Sequence, residues 1–330
     1  MSVEGSDARK ADLVLEGGGV KGIGLLGAIM ALDGAGYTFP RIAGTSAGAI
    51  VGALVAASVT VGKPLAGLVG VMRELEYPRF RDGTALDRLW VPGRVVQLLA
   101  ARGIYKGRYV VAWLEEQLRT IGVETFGDLR ITAEDDPGSA LPPGERYRLV
   151  VMTSDISRGQ LVRLPWDCAR YGIDPDSMRI VDAVRASMSI PFLFEPARLK
   201  GATVVDGGML SDFPVEIFDR PDGQARWPTF GIKLSARPGA VVKAMPTGSI
   251  SDFALACLRT LLGEHDQYHL DDDHVVERTI FVDTLGVAAT DFDIDAPTQE
   301  ALYANGQAAA SRFLAQWPPA HFTAEGRWTG

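Results

Sequence analysis

At 330 residues the chain has room for one large domain or two modest ones, and its composition, 47% hydrophobic and 22% charged, is that of a soluble globular protein. A formal net charge of -8 argues against a general nucleic-acid binder and offers no overall attraction to anionic lipid. Cys168 and Cys257 form no spacing motif and the four histidines no metal-ligand pattern, so buried free thiols in a reducing compartment are expected and no metal.

The stretch Met1 to Lys10 is polar and lacks the basic and apolar regions of a signal peptide. The most apolar window, Ala49 to Val61, is too short to span a bilayer and reads as a buried core helix. A cytoplasmic or membrane-peripheral protein follows, in the sense that no address is seen.

Asp12 to Glu16 reads as a short buried strand, and Ile23 to Leu32 as a packed helix. Between them lies Gly17-Gly18-Gly19-Val20-Lys21-Gly22. Strand, glycine loop and helix make an anion cradle from exposed backbone N–H groups and a helix N-terminus. The spacing fits a dinucleotide fingerprint, but no acidic residue ends a second strand about 20 residues on. A P-loop is excluded, because no Lys-Ser or Lys-Thr pair follows the last glycine. The other use of such a cradle is an oxyanion hole.

Gly44-Thr45-Ser46-Ala47-Gly48 has the form G-x-S-x-G, with a short apolar run before it and a long one after it. That is the strand–turn–helix context of a nucleophile elbow, in which the turn lifts the serine hydroxyl clear of the backbone. Alone, the five-residue pattern also arises by chance.

Beyond Lys63-Pro64 the chain is irregular with helical segments through Trp90 to Ala101. Tyr109 to Ile121 is an amphipathic helix with Leu114, Leu118 and Ile121 on one face. Asp135 to Ser139 and Leu141 to Gly144 read as surface loop, Arg148 to Ser154 as a buried strand, and Gln160 to Leu164 as its hairpin or edge partner. Ile180 to Ser189 is helical, ended by Pro191, and Ile190 to Phe194 is either core packing or the lip of an acyl-binding cleft. Lys200 to Gly208 is a turn, a β-branched strand and then Asp206-Gly207-Gly208. An acid at a strand end beside two glycines can reach a neighbouring site, and a plain Asp-Gly turn would look the same. Thr229 to Ser235 and Arg278 to Asp283 read as strands, and Ile250 to Leu262 and Thr298 to Trp317 as helices. His265, His269 and Asp271 to His274 read as solvated helix-end charge rather than a metal cluster, and the tail after Pro318 as peripheral.

In order and context, the Gly17–Gly22 loop, the Gly44–Gly48 elbow and Asp206-Gly207-Gly208 together closely resemble the patatin-like phospholipase family. Ala186 to Phe192 also looks like that family's Ala-Ser-x-x-x-Pro segment, so the resemblance covers about residues 12–214. It implies a three-layer α/β/α fold with a mainly parallel central sheet, as one domain over residues 1–330 with 215–330 packed on the core. It implies a Ser46–Asp206 dyad in place of a triad, and an oxyanion held by N–H groups of Gly18, Gly19 and Val20. Gly44, Gly48, Gly207 and Gly208 support these motifs. Lys21, where the family has Arg or Lys, would anchor the loop or meet an anionic head group. The implied reaction is hydrolysis of lipid acyl esters of the phospholipase A type, without cofactor, on membrane or micellar phospholipid. Whether it needs an activator, and its oligomeric state, are open at this level.

A carboxylate is a weak base for serine unless burial raises its pKa, so an apolar pocket around Asp206 is expected. Three rivals stand beside this reading. An α/β-hydrolase triad would draw its histidine from His265, His269, His274 or His321. A nucleotide-binding protein would use Gly17 to Gly22. A silent lipid-binding module would carry Ser46 and Asp206 as relics.

Overall fold

In a parallel sheet covered on both faces, strands have no polar side to show, and several short runs of this chain are buried at every position. A computed structural model describes residues 9–83, 103–132, 141–219, 227–234 and 273–318, with positions 248, 256 and 260. The segments read from sequence at Trp90 to Ala101, Asp135 to Ser139 and, apart from positions 256 and 260, Ile250 to Leu262 lie outside the described residues. So do His265, His269, Asp271, Asp272, His321, Cys257, the first eight residues and the tail after Pro318.

The first part of the chain gives β1 (Arg9–Lys10), β2 (Asp12–Leu15), α1 (Gly22–Gly34), β3 (Tyr37–Thr38), β4 (Ile42–Thr45), α2 (Ala47–Thr60) and α3 (Gly67–Arg73). The middle gives β5 (Gly103–Tyr105), α4 (Arg108–Ile121), β6 (Leu149–Asp155), β7 (Gln160–Leu164), α5 (Ile180–Ser187), β8 (Phe192–Phe194), β9 (Ala197–Leu199) and β10 (Ala202–Asp206). The last part gives β11 (Thr229–Lys233), α6 (Asp273–Glu277), β12 (Thr279–Phe281) and α7 (Ala296–Leu314).

The main sheet runs β12-β11-β2-β4-β6, all parallel. The chain winds one way from β2 to β6 and the other way from β11 to β12, so the strand order reverses at β2. Ligands of open α/β sheets bind at the carboxyl ends of strands beside such a reversal. The mainly parallel α/β architecture expected from the sequence is therefore present.

One departure from parallel order decides where the site forms. β7 lies antiparallel along one edge of β6, over Val151 to Asp155. The other edge is shared. β4 occupies its first half, with Thr45 opposite Met152, and β10 occupies its second half from the opposite direction, with Asp206 opposite Thr153. The two strands thus point at each other, and their carboxyl ends meet over adjacent residues of β6. Nothing in the local pattern of Ala202 to Asp206 announces this direction.

Alternation along the strands divides the core. Leu13, Leu15, Ile42, Leu149 and Val151 pack with α1, α2, α4, α5 and α7 on one face. Val14, Ala43, Val150 and Met152 face the other side, where Phe213, Val215, Phe218 and Val275 cover them. Among the described residues no helix is long and apolar enough to cross a membrane.

α1 and α7 touch through backbone. A Cβ on Gly27 would lie 2.1 Å from the Tyr303 carbonyl oxygen, and one on Gly306 would lie 2.1 Å from that of Gly24. Rigid helix backbone cannot yield, so Gly306→Ala is expected to destabilise the fold by about 1–3 kcal/mol in denaturant titrations. An unchanged midpoint would contradict this account of the helix pair.

Candidate active site

β2, β4 and β10 deliver the three motifs to one end of the sheet. Leu15 pairs with Gly44, so the glycine loop leaves β2 beside the point where β4 enters its turn. Ser46 is the turn residue, with φ 51° and ψ −116°, and caps α2. For a non-glycine residue that backbone costs on the order of 1–3 kcal/mol and persists only when its surroundings hold it. Two glycines make the turn sterically feasible. A Cβ on Gly44 would sit 2.3 Å from the Gly48 carbonyl oxygen, and one on Gly48 would sit 2.3 Å from that of Leu15.

The N–H of Ser46 donates to the hydroxyl of Ser187 at 2.8 Å, at the end of α5. Two residues on, the Ser189 carbonyl accepts the N–H of Asp206 at 3.0 Å. A single tripeptide therefore holds both members of the expected dyad. It is anchored in turn by Arg185, which is half-buried and bonds Ser189, the Lys106 carbonyl at 2.9 Å and the Glu195 carbonyl at 2.8 Å. The sequence marks this stretch by resemblance alone, and periodicity gives Ser187 and Ser189 no role.

Asp206 is 2% exposed. Its Oδ1 accepts the Gly208 N–H at 2.9 Å. Burial pushes its carboxyl up to about 7, against the opposing pull of the Gly208 N–H and of the Ser46 hydroxyl. The Ser46 hydroxyl acts on the carboxyl, and Oδ2 is buried with no hydrogen-bond partner among the described residues. The burial expected from the sequence is present. Main-chain carbonyls beside the acid are held as well: Thr153 donates to the Val205 carbonyl at 2.6 Å and Ser154 to that of Gly207 at 3.2 Å.

The glycine loop is fastened at three points. Gly17 N–H donates to Asp212 Oδ1 at 3.2 Å, Val20 N–H to the Ala289 carbonyl at 3.1 Å, and Lys21 Nζ to the Leu234 carbonyl at 3.1 Å. This corrects one expectation. Val20 N–H is committed to Ala289, so Gly18 and Gly19 carry the loop's N–H groups without a protein acceptor among the described residues. Gly19 has φ +57°, and a Cβ there would strike the Ala289 carbonyl. Lys21 is half-buried, desolvation lowers its pKa, and its ammonium anchors the loop. Behind the loop Glu16 pairs with Lys233 and accepts the Leu234 N–H. Asp212 is a contact the sequence reading did not single out.

Ser46 opens into an apolar cleft. Gly19, Gly22, Ala47 and Ile50 line it near the serine; Met72, Leu75, Tyr77, Phe80, Met188, Ile190, Phe194, Ala289 and Phe292 form the remaining walls. Phe80, Phe194 and Tyr105 all pack against Phe292. Of the segment read as core or lip, Ile190 and Phe194 are cleft walls that also belong to the core. Among the described residues no group of His, Cys, Asp and Glu could hold a metal ion.

Asp206 makes stability depend on pH. Its carboxyl titrates near 3.8 when unfolded and about 7 when folded, so the folded state binds the extra proton between those values. Stability from this group is full below about pH 4 and is lost as pH rises toward 7. Asp206→Asn removes the effect. Its stability advantage over the parent is expected to grow by about 2 kcal/mol between pH 5 and pH 8 in denaturant titrations. A difference independent of pH would contradict the burial argument.

Comparison with known proteins gives the chain its family. The sequence matches the patatin-like phospholipase family over residues 13–219. It is 34% identical to the uncharacterized protein YqhO of Bacillus subtilis over 313 residues, covering 93% of this chain and 98% of that one. It is 29% identical over 218 residues to lysophospholipase nte1 of Aspergillus niger, covering 63% of this chain but only 11% of that protein. In fold it resembles the crystal structure of VipD from Legionella pneumophila, with a TM-score of 0.53 and 20% identity over 94% of this chain and 67% of that one. With its glycine loop, serine turn and late aspartate assembled at one end of the sheet, the chain belongs to the patatin-like phospholipase family.

Proposed function

We propose that the protein is a lipid acyl hydrolase of the phospholipase A type, with Ser46 as nucleophile and Asp206 as its base. The observation that carries this reading is the buried Asp206 carboxyl, raised to about 7 and acting on the Ser46 hydroxyl at the end of an apolar cleft. A base titrating there takes a serine proton near neutrality far more readily than an ordinary carboxylate does.

In the proposed sequence Ser46 Oγ attacks the ester carbonyl carbon while its proton passes to Asp206. The oxyanion lies against the N–H groups of Gly18 and Gly19, and the N-terminus of α2 adds its dipole. Collapse breaks the ester bond, and the departing alcohol takes the proton from Asp206. Water, losing a proton to Asp206, then attacks the acyl-serine, and the proton returns to Ser46 as the fatty acid leaves. The strained Ser46 backbone keeps Oγ at the cleft through both steps. The apolar walls suit an acyl chain, which supports a lipid ester as substrate. The name of the fungal relative, a lysophospholipase, points the same way.

The rival readings fit less well. His274 is on α6, whose Val275 packs on the sheet face opposite α2. A bound pyrophosphate would meet the Asp212 carboxylate beside the glycine loop, whose Gly17 and Val20 N–H groups are already used.

The test is fatty-acid release from phosphatidylcholine vesicles and from a short-chain aryl ester by the parent, Ser46→Ala and Asp206→Ala, with and without EDTA. Turnover by the parent alone is expected, insensitive to EDTA, with losses of about 10⁴-fold in the variants. Release that persists in Ser46→Ala would overturn the mechanism, and vesicle binding without any turnover in the parent would favour a silent lipid-binding module.

A further inference from the structure

Phe192 is the most exposed of the large hydrophobic side chains described, at 56%. Its neighbours explain how, but not why. Leu193 N–H donates to the Ile190 carbonyl at 3.1 Å, closing a turn around Pro191 and Phe192. Phe192 has φ +67°. A turn with proline at its second position and positive φ at its third is the type II pattern, and the third position calls for glycine or asparagine. Here it carries a bulky aromatic residue, strained in backbone and wet in side chain. Neither folding nor packing selects that residue type.

The turn is firmly mounted. Phe194 N–H also donates to the Ile190 carbonyl, at 2.9 Å, and Glu195 N–H to the Tyr105 carbonyl at 2.8 Å. Arg185 holds the Glu195 carbonyl. Ile190 and Phe194, two residues to either side, are walls of the Ser46 cleft. The positive φ thus turns one aromatic ring out of a lip whose other apolar side chains face in. Five residues upstream on the same segment, Ser187 holds the Ser46 N–H.

We propose that Phe192 is an interfacial anchor that inserts into a zwitterionic lipid surface and sets the mouth of the cleft against it. The inference rests on the acyl-hydrolase reading, because that reading puts a lipid acyl chain in the cleft that Ile190 and Phe194 help to wall. A rigid aromatic ring gains by leaving water for the polar–apolar boundary of a bilayer. The formal net charge of -8 offers no help from anionic lipid, so the contact has to be apolar and local.

The experiment uses the full chain carrying Ser46→Ala, so that vesicles are not consumed, and measures co-sedimentation with phosphatidylcholine vesicles. Adding Phe192→Asn is expected to weaken partitioning by about 10–100-fold, with little dependence on salt. The thermal midpoint should hold or rise, because asparagine tolerates positive φ. Phe192→Trp should restore binding. Equal binding by Phe192→Asn, or no binding by the Ser46→Ala protein itself, would overturn the proposal. So would self-association in ultracentrifugation that Phe192→Asn abolishes without any effect on vesicles, which would assign the surface to a second copy. Turnover of a soluble aryl ester by otherwise unaltered protein separates the two readings. If the ester is hydrolysed but vesicles do not bind, the anchor fails alone; if Phe192-dependent binding persists without turnover, the hydrolase reading fails alone.

Discussion

Two strands running head-on along one edge of β6 are the constraint on which the site depends. Met152 and Thr153 are adjacent, and their partners are Thr45 and Asp206. Because β4 and β10 arrive from opposite directions, the residue that ends each of them is carried toward the other. A parallel β10 would bring its amino end here and leave Asp206 at the far end of the strand. The hydrogen-bond ladder of β6 therefore sets the spacing of Ser46 and Asp206, and Ser187 and Ser189 fix it from the end of α5.

Electrostatics then follow from burial. Asp206 lies where solvent cannot stabilise its charge, with one backbone N–H on Oδ1 and the Ser46 hydroxyl near the carboxyl. A bare carboxylate in that place would be neutral over much of the physiological range. These two donors restrain the shift and leave the group poised near neutrality. The open donors of the glycine loop are left by subtraction. Asp212, the Ala289 carbonyl and the Leu234 carbonyl take up the loop's outer groups, and the donors at Gly18 and Gly19 remain.

The three motifs were legible in the sequence for a physical reason. Gly44 and Gly48 lie where any Cβ would meet backbone, and Gly19 also has positive φ, so residue type reports geometry there. The same holds for the apolar runs that became β2, β4, β6 and α2. Other features were hidden because they depend on partners remote in sequence. The direction of β10, the Asp212 bond to Gly17 across 195 residues and the Ser187 bond to Ser46 across 141 residues leave no local periodicity. Val20 illustrates the limit. Its place in the loop suggested a free N–H, and a carbonyl from the segment before α7 occupies it. Ile190 to Phe194 reads as core or as lip because its residues divide between cleft wall and solvent, and the positive φ at Phe192 marks the division.

If Ser46 is coupled to a buried carboxyl, the reactivity of its hydroxyl follows the titration of that carboxyl. A fluorophosphonate that modifies activated serines would be applied across pH 5–9, with the adduct mapped by mass spectrometry and the rate followed in the parent and in Asp206→Asn. The account expects a single adduct on Ser46, a rate that rises with a midpoint near the carboxyl's value of about 7, and loss of reaction in Asp206→Asn despite an intact fold. A rate flat in pH, or undiminished in Asp206→Asn, would contradict it.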